Sequence, residues 1–339
     1  MAEPGRRAYV YAKACGIAGK SCIGSRVSRL RSLTRLADLD RLIFPGESRE
    51  LPGGELLRDL EKRITGRAVQ QILTIVSSCS PPPEFLIRQL RVYEYADVKS
   101  LLNHLTAGET EAPVFTSLKP FDTVRWAAWP DLGAMFRQSE FQWLAGEDFG
   151  AMTAEENMLL QARLDRQYYQ MLWESLRRLA PKDRRAGDLI LREEISLRNC
   201  MWALRLRSYY GVGSPQGQHY LLKIPLGPGR SAAADAEAAL KLPLDNPAVW
   251  KSWRRHAFLN PEKPGEEWKP DPRFFQNAVS RYLYRLARRY FRSDPFSLDA
   301  VMCFIKLKQF EEDILTSAAE GLGLGMSGGD ILNLLGVEK

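Results

Sequence analysis

The sequence is poor in the two residue types that most often bind metals or form disulfides. Its 339 residues include five cysteines and three histidines. The cysteine number is odd and no Cys-x-x-Cys pair occurs, which argues against a disulfide framework or a zinc site and favours a reducing compartment. The histidines stand apart from one another and from the cysteines, so they support neither a metal cluster nor a Ser-His-Asp arrangement. These residues are Cys15, Cys22, Cys79, Cys200, Cys303, His104, His219 and His256.

Long apolar runs are also missing. No stretch reaches the roughly 18 uninterrupted apolar residues that a membrane-spanning helix needs. Near the N-terminus Arg6 and Arg7 precede an apolar segment, but Lys13 interrupts it, so we do not expect a signal peptide. The pattern predicts a cytoplasmic protein that reaches a membrane only through a partner.

Positively charged residues outnumber negatively charged ones. Lysine and arginine number 48 against 41 aspartate and glutamate, which gives a net charge of +7, and the excess is mostly arginine. Such a balance favours acidic partners, whether nucleic acid, lipid headgroups or an acidic protein face. Charge by itself does not choose among these three.

A helical pattern that occurs three times is the most informative feature present. Each copy has a long amphipathic segment with apolar residues at three-and-four spacing, then a break, then a second helix. Leu60, Leu164 and Phe274 mark equivalent points, 104 and 110 residues apart, and each interval is long enough for a small domain. The first helices span 57–76, 162–179 and 275–291, and the second helices span 93–105, 193–210 and 306–320.

Breaks in this pattern predict the domain limits. Alternating, β-branched segments are scarce, and the best strand candidate, 220–224, is short and followed by Pro225. Glycine and proline concentrate near 110 and 213, just after two of the second helices. We therefore predict an all-α protein of three similar helical domains, with approximate and possibly interleaved boundaries at 1–112, 113–213 and 214–339.

The second helices carry polar residues that need an explanation. Ser100, Asn199 and Asp313 occupy equivalent places, each before apolar residues. Ordinary structural hydrogen bonds explain such residues more often than binding does. The carboxylates of 193–194 and 311–313 are interpreted as acidic first turns, where they would favour the positive end of the helix dipole. No catalytic residue is assigned.

One segment has some features of a phosphate-binding loop. Residues 15–21 read Cys-Gly-Ile-Ala-Gly-Lys-Ser, but Ala14 stands where the first glycine of Gly-x-x-x-x-Gly-Lys-Ser belongs. No buried apolar strand precedes the segment either. We interpret it as a flexible turn beside a helix, and expect neither a cofactor nor direct nucleotide binding.

Arginines on two predicted helices favour a different class of protein, one that binds an acidic partner or nucleic acid through a basic surface. Arg281, Arg285, Arg288 and Arg292 form a basic stripe, which is typical either of a solvated face or of a surface for an acidic partner. On the second helix of the middle copy, cations alternate with aromatic residues, a pattern that can neutralise phosphates and stack on bases. Exposed aromatic side chains between arginines also suggest contact within the chain or beyond it. This face contains Arg198, Trp202, Arg205 and Tyr209.

Several of these segments together resemble the C subunit of bacterial and archaeal V/A-type ATPases, which is called subunit d in eukaryotic V-ATPases. The resemblance covers nearly the whole chain in the right order, although each motif is a short helical pattern. It lies in Tyr-Val-Tyr-Ala-Lys at 9–13, Leu-Ala-Asp-Leu-Asp-Arg-Leu at 36–42, Tyr-Glu-Tyr-Ala-Asp-Val at 93–98, Glu-Ile-Ser-Leu-Arg-Asn at 194–199, Leu-Arg-Leu-Arg-Ser-Tyr-Tyr-Gly at 204–211, and Phe-Glu-Glu-Asp-Ile at 310–314 with Gly-Leu at 321–322.

The resemblance implies a funnel of three similar domains around a pseudo-threefold axis. Such a subunit caps the cytoplasmic face of the membrane rotor ring and receives the foot of the central stalk in a socket, so it transmits torque without catalysing a reaction. On this interpretation Arg198 and Arg205 lie toward the socket. The partner-binding candidates are Arg198, Asn199, Trp202, Arg205 and Tyr209.

This sequence departs from the family pattern at several places. Ser100 and Asp313 stand where the family tends to have asparagine, Thr-Ser-Ala-Ala at 316–319 replaces basic and aliphatic residues, and the segment 213–247 is an atypical insert. Two alternatives stay open: a basic helical-repeat adaptor that binds nucleic acid or an acidic protein, and, less favoured, an enzyme with an unrecognised pocket. The transported ion, proton or sodium, and the direction of the ATPase, synthesis or hydrolysis, also stay open.

Overall fold

A computed structural model describes residues 3–109, 111, 113–227 and 231–336. Within these residues the chain is helical, with no β-strand and one isolated bridge between Pro225 and Ser231. The α-helices are α1 (Glu3–Ala18), α2 (Leu36–Ile43), α3 (Gly53–Val76), α4 (Glu84–Leu90), α5 (Val92–Thr106), α6 (Leu132–Phe136), α7 (Ala154–Arg177), α8 (Arg185–Tyr210), α9 (Ala234–Ala239), α10 (Pro247–Trp250), α11 (Pro272–Ser293), α12 (Leu298–Gly323) and α13 (Gly328–Leu335). Short 3-10 helices occupy Gly24–Leu30, Trp126–Ala128, Gln142–Gly146, Phe149–Ala151, Pro181–Asp183, Gln216–Tyr220 and His256–Phe258.

The all-α prediction is confirmed, and the six predicted long helices correspond to α3, α5, α7, α8, α11 and α12. Several of these helices begin just after a residue whose side chain caps the helix N-terminus. Thr153 and Glu156 form a capping box ahead of α7, while the Ser297 hydroxyl accepts the amide of Ala300 ahead of α12. Asp271 caps α11, with proline at the first helical position.

Two of the second helices begin earlier than predicted. α8 starts at Arg185 rather than near 193, and α12 starts at Leu298 rather than near 306. The start of α8 is capped from another helix, because both carboxylate oxygens of Asp299 accept hydrogen bonds from the amides of Ala186 and Gly187, at 2.8 and 3.0 Å. The carboxylates at 193–194 and 311–313 therefore lie in helix interiors, and their interpretation as first-turn charges is wrong.

The segment proposed as a strand adopts another conformation. Tyr220 ends a 3-10 helix, and the extended backbone after it is held by the side chain of Asn199 on α8. The predicted helical turn or two near 232–240 is present as α9. Most of 251–271 is irregular up to the start of α11, apart from a short 3-10 helix.

The centre of the molecule is α12. Every residue from Asp299 to Lys308 is buried, as expected for a helix covered by protein on all sides. It packs against α1, α2, α3, α4, α8, α11 and α13. Near its C-terminal end Leu315 shares a hydrophobic cluster with Leu56 and Leu60 of α3. The first and last thirds of the chain thus contribute to one core, whereas the three domain boundaries and the threefold funnel stay predictions.

Among the described residues, no helix combines the length and the apolar character that crossing a membrane requires.

Candidate partner-binding cavity

A cavity of about 950 Å³ opens between α11, α12 and the 3-10 helix at Gly24–Leu30. A second cavity of about 210 Å³ adjoins it beside α7 and α8. Gln276, Ser280, Phe310 and Asp313 line both, so the two form one branched recess. A recess of this size is large enough to receive part of another protein or a sizeable ligand.

The C-terminal helix α13 closes one side of the larger cavity. At its start, the Gly328 amide donates to the carbonyl of Leu33 at 2.8 Å. A side chain at Gly328 would collide with the carbonyl of Leu30, so only glycine permits this approach. At its end, Asn277 Nδ2 and Arg281 Nη1 donate to the carbonyls of Leu334 and Leu335 at 2.9 and 2.8 Å.

A cation at this end also complements the negative end of the helix dipole. We call these contacts at both ends of α13 the C-terminal clasp. The clasp connects the N-terminal segment to α11 across the cavity.

The cavity has a basic wall on α11. Arg281, Arg285 and Arg288 of the predicted stripe line it, whereas Arg292 does not. Arg281 is half-buried, and its burial, together with the neighbouring Arg285, lowers its pKa. Arg285 and Arg288 are exposed and form no ion pair with any residue in the part of the chain that the structure describes. Like charges therefore stand close together on this wall without a counter-ion among the described residues.

The opposite wall, on α12, is acidic. Both carboxylate oxygens of Glu312 are engaged, one by the Tyr93 hydroxyl at 2.6 Å and the other by the Thr65 hydroxyl at 2.7 Å. Burial raises the pKa of Glu312 in spite of these hydrogen bonds. The Asp313 side chain is exposed to the open space of the recess, but the many protein atoms around it and the nearby Glu312 raise its pKa to about 7 against the opposing effect of Lys306.

Arg198 reaches the smaller branch of the recess but is already bound within the chain. Its Nη2 donates to both carboxylate oxygens of Asp165 on α7, at 3.1 Å each, and its guanidinium lies 5.4 Å from the centre of the Tyr169 ring. Lys99 of α5 contacts the same carboxylate at 2.7 Å. Burial favours the protonated form of Asp165, but Arg198 and Lys99 outweigh it and lower its pKa.

The other predicted site residues lie at different depths along α8. Arg205 Nη2 donates to Gln276 Oε1 at 2.6 Å, at the edge of the recess. Trp202 is half-buried against the neighbouring core, whereas Tyr209 is exposed. Asn199 is fully buried and turned toward the 221–232 segment, with its amide donating to the carbonyls of Leu222 and Ala232 and accepting from the Leu222 amide.

The five candidates therefore do not form one surface. Arg198 and Arg205 approach the recess, while Asn199 makes structural hydrogen bonds to the 221–232 segment. The role of all five residues in binding a partner stays a prediction.

Sequence reasoning missed the residues that connect the helices around the recess. Lys306 of α12 contacts Glu194 of α8 at 2.8 Å, and the Tyr169 hydroxyl donates to the same carboxylate at 3.0 Å. Glu311 pairs with Lys308. A signal existed, because charged residues at buried helical positions require partners, but the pattern does not say which partners.

The segment at 15–21 uses its backbone amides within the chain. The amides of Gly19, Lys20 and Ser21 donate to the carbonyls at the end of α1. The Ser21 hydroxyl accepts from Lys308 at 3.2 Å, and the next amide, Cys22, donates to Glu311 at 2.7 Å. The predicted helix-flanking turn is present, and these contacts fasten it to α12.

An all-helical chain with a charged recess and a buried network of ion pairs has the features of a scaffold subunit. The family model described as ATP synthase (C/AC39) subunit matches residues 49–334. The chain therefore belongs to the C/AC39 subunit family of V/A-type ATPases, the family to which eukaryotic subunit d corresponds. Its members are accessory subunits and are generally non-catalytic.

A relative from Treponema pallidum (strain Nichols), described as an uncharacterized protein, is 28% identical over 326 residues. The match covers 94% of this chain and 92% of the relative. The similarity thus extends over most of both chains.

Proposed function

We propose that this chain is the subunit that links the central stalk of a V/A-type ATPase to the cytoplasmic face of its membrane rotor ring and transmits torque between them. Its partners would be the stalk subunits and the ring, and its association with the membrane would be through the ring. The observation that carries the proposal is the charged recess between α11 and α12, in a chain that belongs to this family.

A subunit in this position needs to resist deformation, and the buried ion pairs support that requirement. Asp165 connects α7 to both α5 and α8, and Glu194 connects α8 to α7 and α12. Glu312 connects α12 to α5 and α3. A force applied inside the recess would therefore be distributed over five of the six long helices, α3, α5, α7, α8 and α12. Such paired charges fix one arrangement of helices rather than several, which is the role proposed here for them.

The first experiment is affinity purification of the tagged chain from gently solubilised membranes of its own organism, with the companions identified by mass spectrometry. Recovery with ATPase head subunits and a small ring-forming membrane protein is expected. Recovery only from the soluble fraction, with nucleic acid or unrelated proteins, would contradict the proposal and favour the adaptor alternative.

A functional measurement distinguishes coupling from mere attachment. In membranes from a strain that lacks this chain, we expect ATP-driven ion transport to be lost, because torque no longer passes from the head to the ring. Re-expression of the wild-type chain should restore transport. Transport that continues in its absence would show that coupling does not require this subunit.

A further inference from the structure

The arginines of the basic wall indicate what kind of surface the recess receives. Arg285 and Arg288 are exposed on α11, line the larger cavity and have no acidic partner in the described ranges of the chain. Arg198, by contrast, is paired with Asp165, and Arg281 donates a hydrogen bond to the Leu335 carbonyl in the C-terminal clasp. The wall therefore presents guanidinium groups that are free to bind a carboxylate in the two-pronged geometry typical of arginine.

The acidic wall does not supply the missing counter-charge. Glu312 is occupied by Tyr93 and Thr65, and Asp313 faces the recess without an ion pair to either arginine in the described chain. Neither carboxylate forms an ion pair with Arg285 or Arg288 in the described chain. Glu320, the third carboxylate of this wall, forms no ion pair with them either within the described residues. Negative charge from another molecule would thus find two cations that no carboxylate of the described chain neutralises by direct contact.

The size of the recess limits what can enter. A helix about 10 Å across would occupy 950 Å³ over roughly 12 Å of its length, a little more than two turns. We infer that the larger cavity binds an acidic segment of the central stalk, about two helical turns long, whose carboxylates pair with Arg285 and Arg288. The inference rests on the proposed function and adds the chemistry and the location of the contact.

Binding to the stalk should consequently depend on the salt concentration and on the sign of the charge at positions 285 and 288. The test measures binding of the purified full-length chain to the purified central-stalk subunits of the same organism at several salt concentrations. The double variant Arg285→Glu with Arg288→Glu should weaken binding at least about tenfold and reduce its dependence on salt, because two attractive pairs become repulsive.

Two further variants control for folding and for general charge. The double variant Arg285→Lys with Arg288→Lys keeps the positive charge and should retain most of the binding. Arg289→Glu makes one such charge reversal on the same helix, at an exposed position outside the cavity, and should bind as the wild type does.

The outcomes separate this inference from the proposed function. A wild-type chain that does not bind the stalk subunits would contradict the proposed function itself. Wild-type binding that survives the double reversal, or that falls equally in Arg289→Glu, would overturn the inference and leave the proposed function standing. Binding of single-stranded RNA, but not of the stalk, that the double reversal abolishes would overturn both and favour the nucleic-acid adaptor.

Discussion

The guanidinium of Arg198 on α8 lies 3.1 Å from both carboxylate oxygens of Asp165 on α7. The same carboxylate contacts Lys99, so one aspartate joins three long helices beside the recess. Asp165 is 8% exposed, and the pair of cations around it explains how a charged group persists at that depth. An arginine that the sequence marks as a partner-binding candidate thus has a structural partner in its own chain.

Removing this carboxylate should destabilise the fold. In Asp165→Asn the two cations lose their common counter-charge in a largely buried place, and we expect the free energy of unfolding to fall by about 3 kcal/mol. Urea unfolding monitored by circular dichroism measures it. Asp245→Asn removes an exposed carboxylate and should change stability by less than about 0.5 kcal/mol. Equal effects of the two substitutions would show that the triad contributes no net stability.

The buried amide of Asn199 should matter to stability, whereas its counterpart in the first copy should not. Asn199→Ala leaves two carbonyls and one amide of the 221–232 segment without their partner, and we expect a loss of about 3 kcal/mol. Ser100→Ala, at the equivalent but exposed position, is the matched control and should be nearly neutral. Comparable unfolding midpoints for the two variants would contradict the structural role of Asn199.

Stability should depend on pH through Asp313. An aspartate in the unfolded chain loses its proton near pH 4, whereas burial and Glu312 raise the folded pKa to about 7. Between these values the folded state binds more protons, so the contribution of Asp313 to the free energy of unfolding falls as pH rises. Asp313→Asn removes this contribution, and its stability relative to the wild type should increase from pH 5 to pH 8.

The measurement is urea unfolding of both proteins at each pH. Carboxyls that do not interact with Asp313 contribute equally to both profiles, so the difference reports the titration of Asp313 together with its neighbour Glu312. Glu320→Gln alters an exposed carboxylate of the same cavity and serves as the control. Parallel profiles for the wild type and Asp313→Asn would rule out the expected titration.

The C-terminal clasp should control the opening of α13. Substituting Asn277 and Arg281 by alanine removes both donors to the end of this helix. We expect hydrogen exchange of the amides at 331–335 to accelerate by roughly tenfold, while exchange in α7 stays unchanged, because only the local opening becomes easier. Arg289→Ala on the same helix should leave α13 protected, and equal exchange in both variants would show that other contacts hold it.

Much of the fold could be predicted because its signals are local. The periodicity of α3, α7 and α11 follows from apolar residues a few positions apart, and the caps at Thr153 and Ser297 act within three residues. The early start of α8 could not be predicted, since its cap is Asp299 on another helix. That cap also explains why the acidic residues at 193–194 lie inside α8 rather than in its first turn. Residues 311–313 lie inside α12 as well, although the cap of that helix, Ser297, is local in sequence.

The candidate site could likewise be predicted only in part. The arginine stripe on α11 was visible in the sequence as 281, 285, 288 and 292, because helical spacing alone places these side chains on one side. The sequence did not show whether the stripe faces solvent or a cavity, because the cavity forms only where α12 and the N-terminal segment pack beside α11. The sequence also did not show that Arg198 would be paired with Asp165, since the two belong to different helices.

The sequence by itself determined an all-helical chain with three pairs of long helices, a family membership and an arginine-rich face, because these follow from composition, spacing and short motifs. Only the tertiary structure decided which charges are neutralised within the chain and which remain available. Pairing depends on distances between side chains on different helices. Arg198 is therefore paired inside the scaffold, while Arg285 and Arg288 lie on the cavity wall without an ion pair to any described residue.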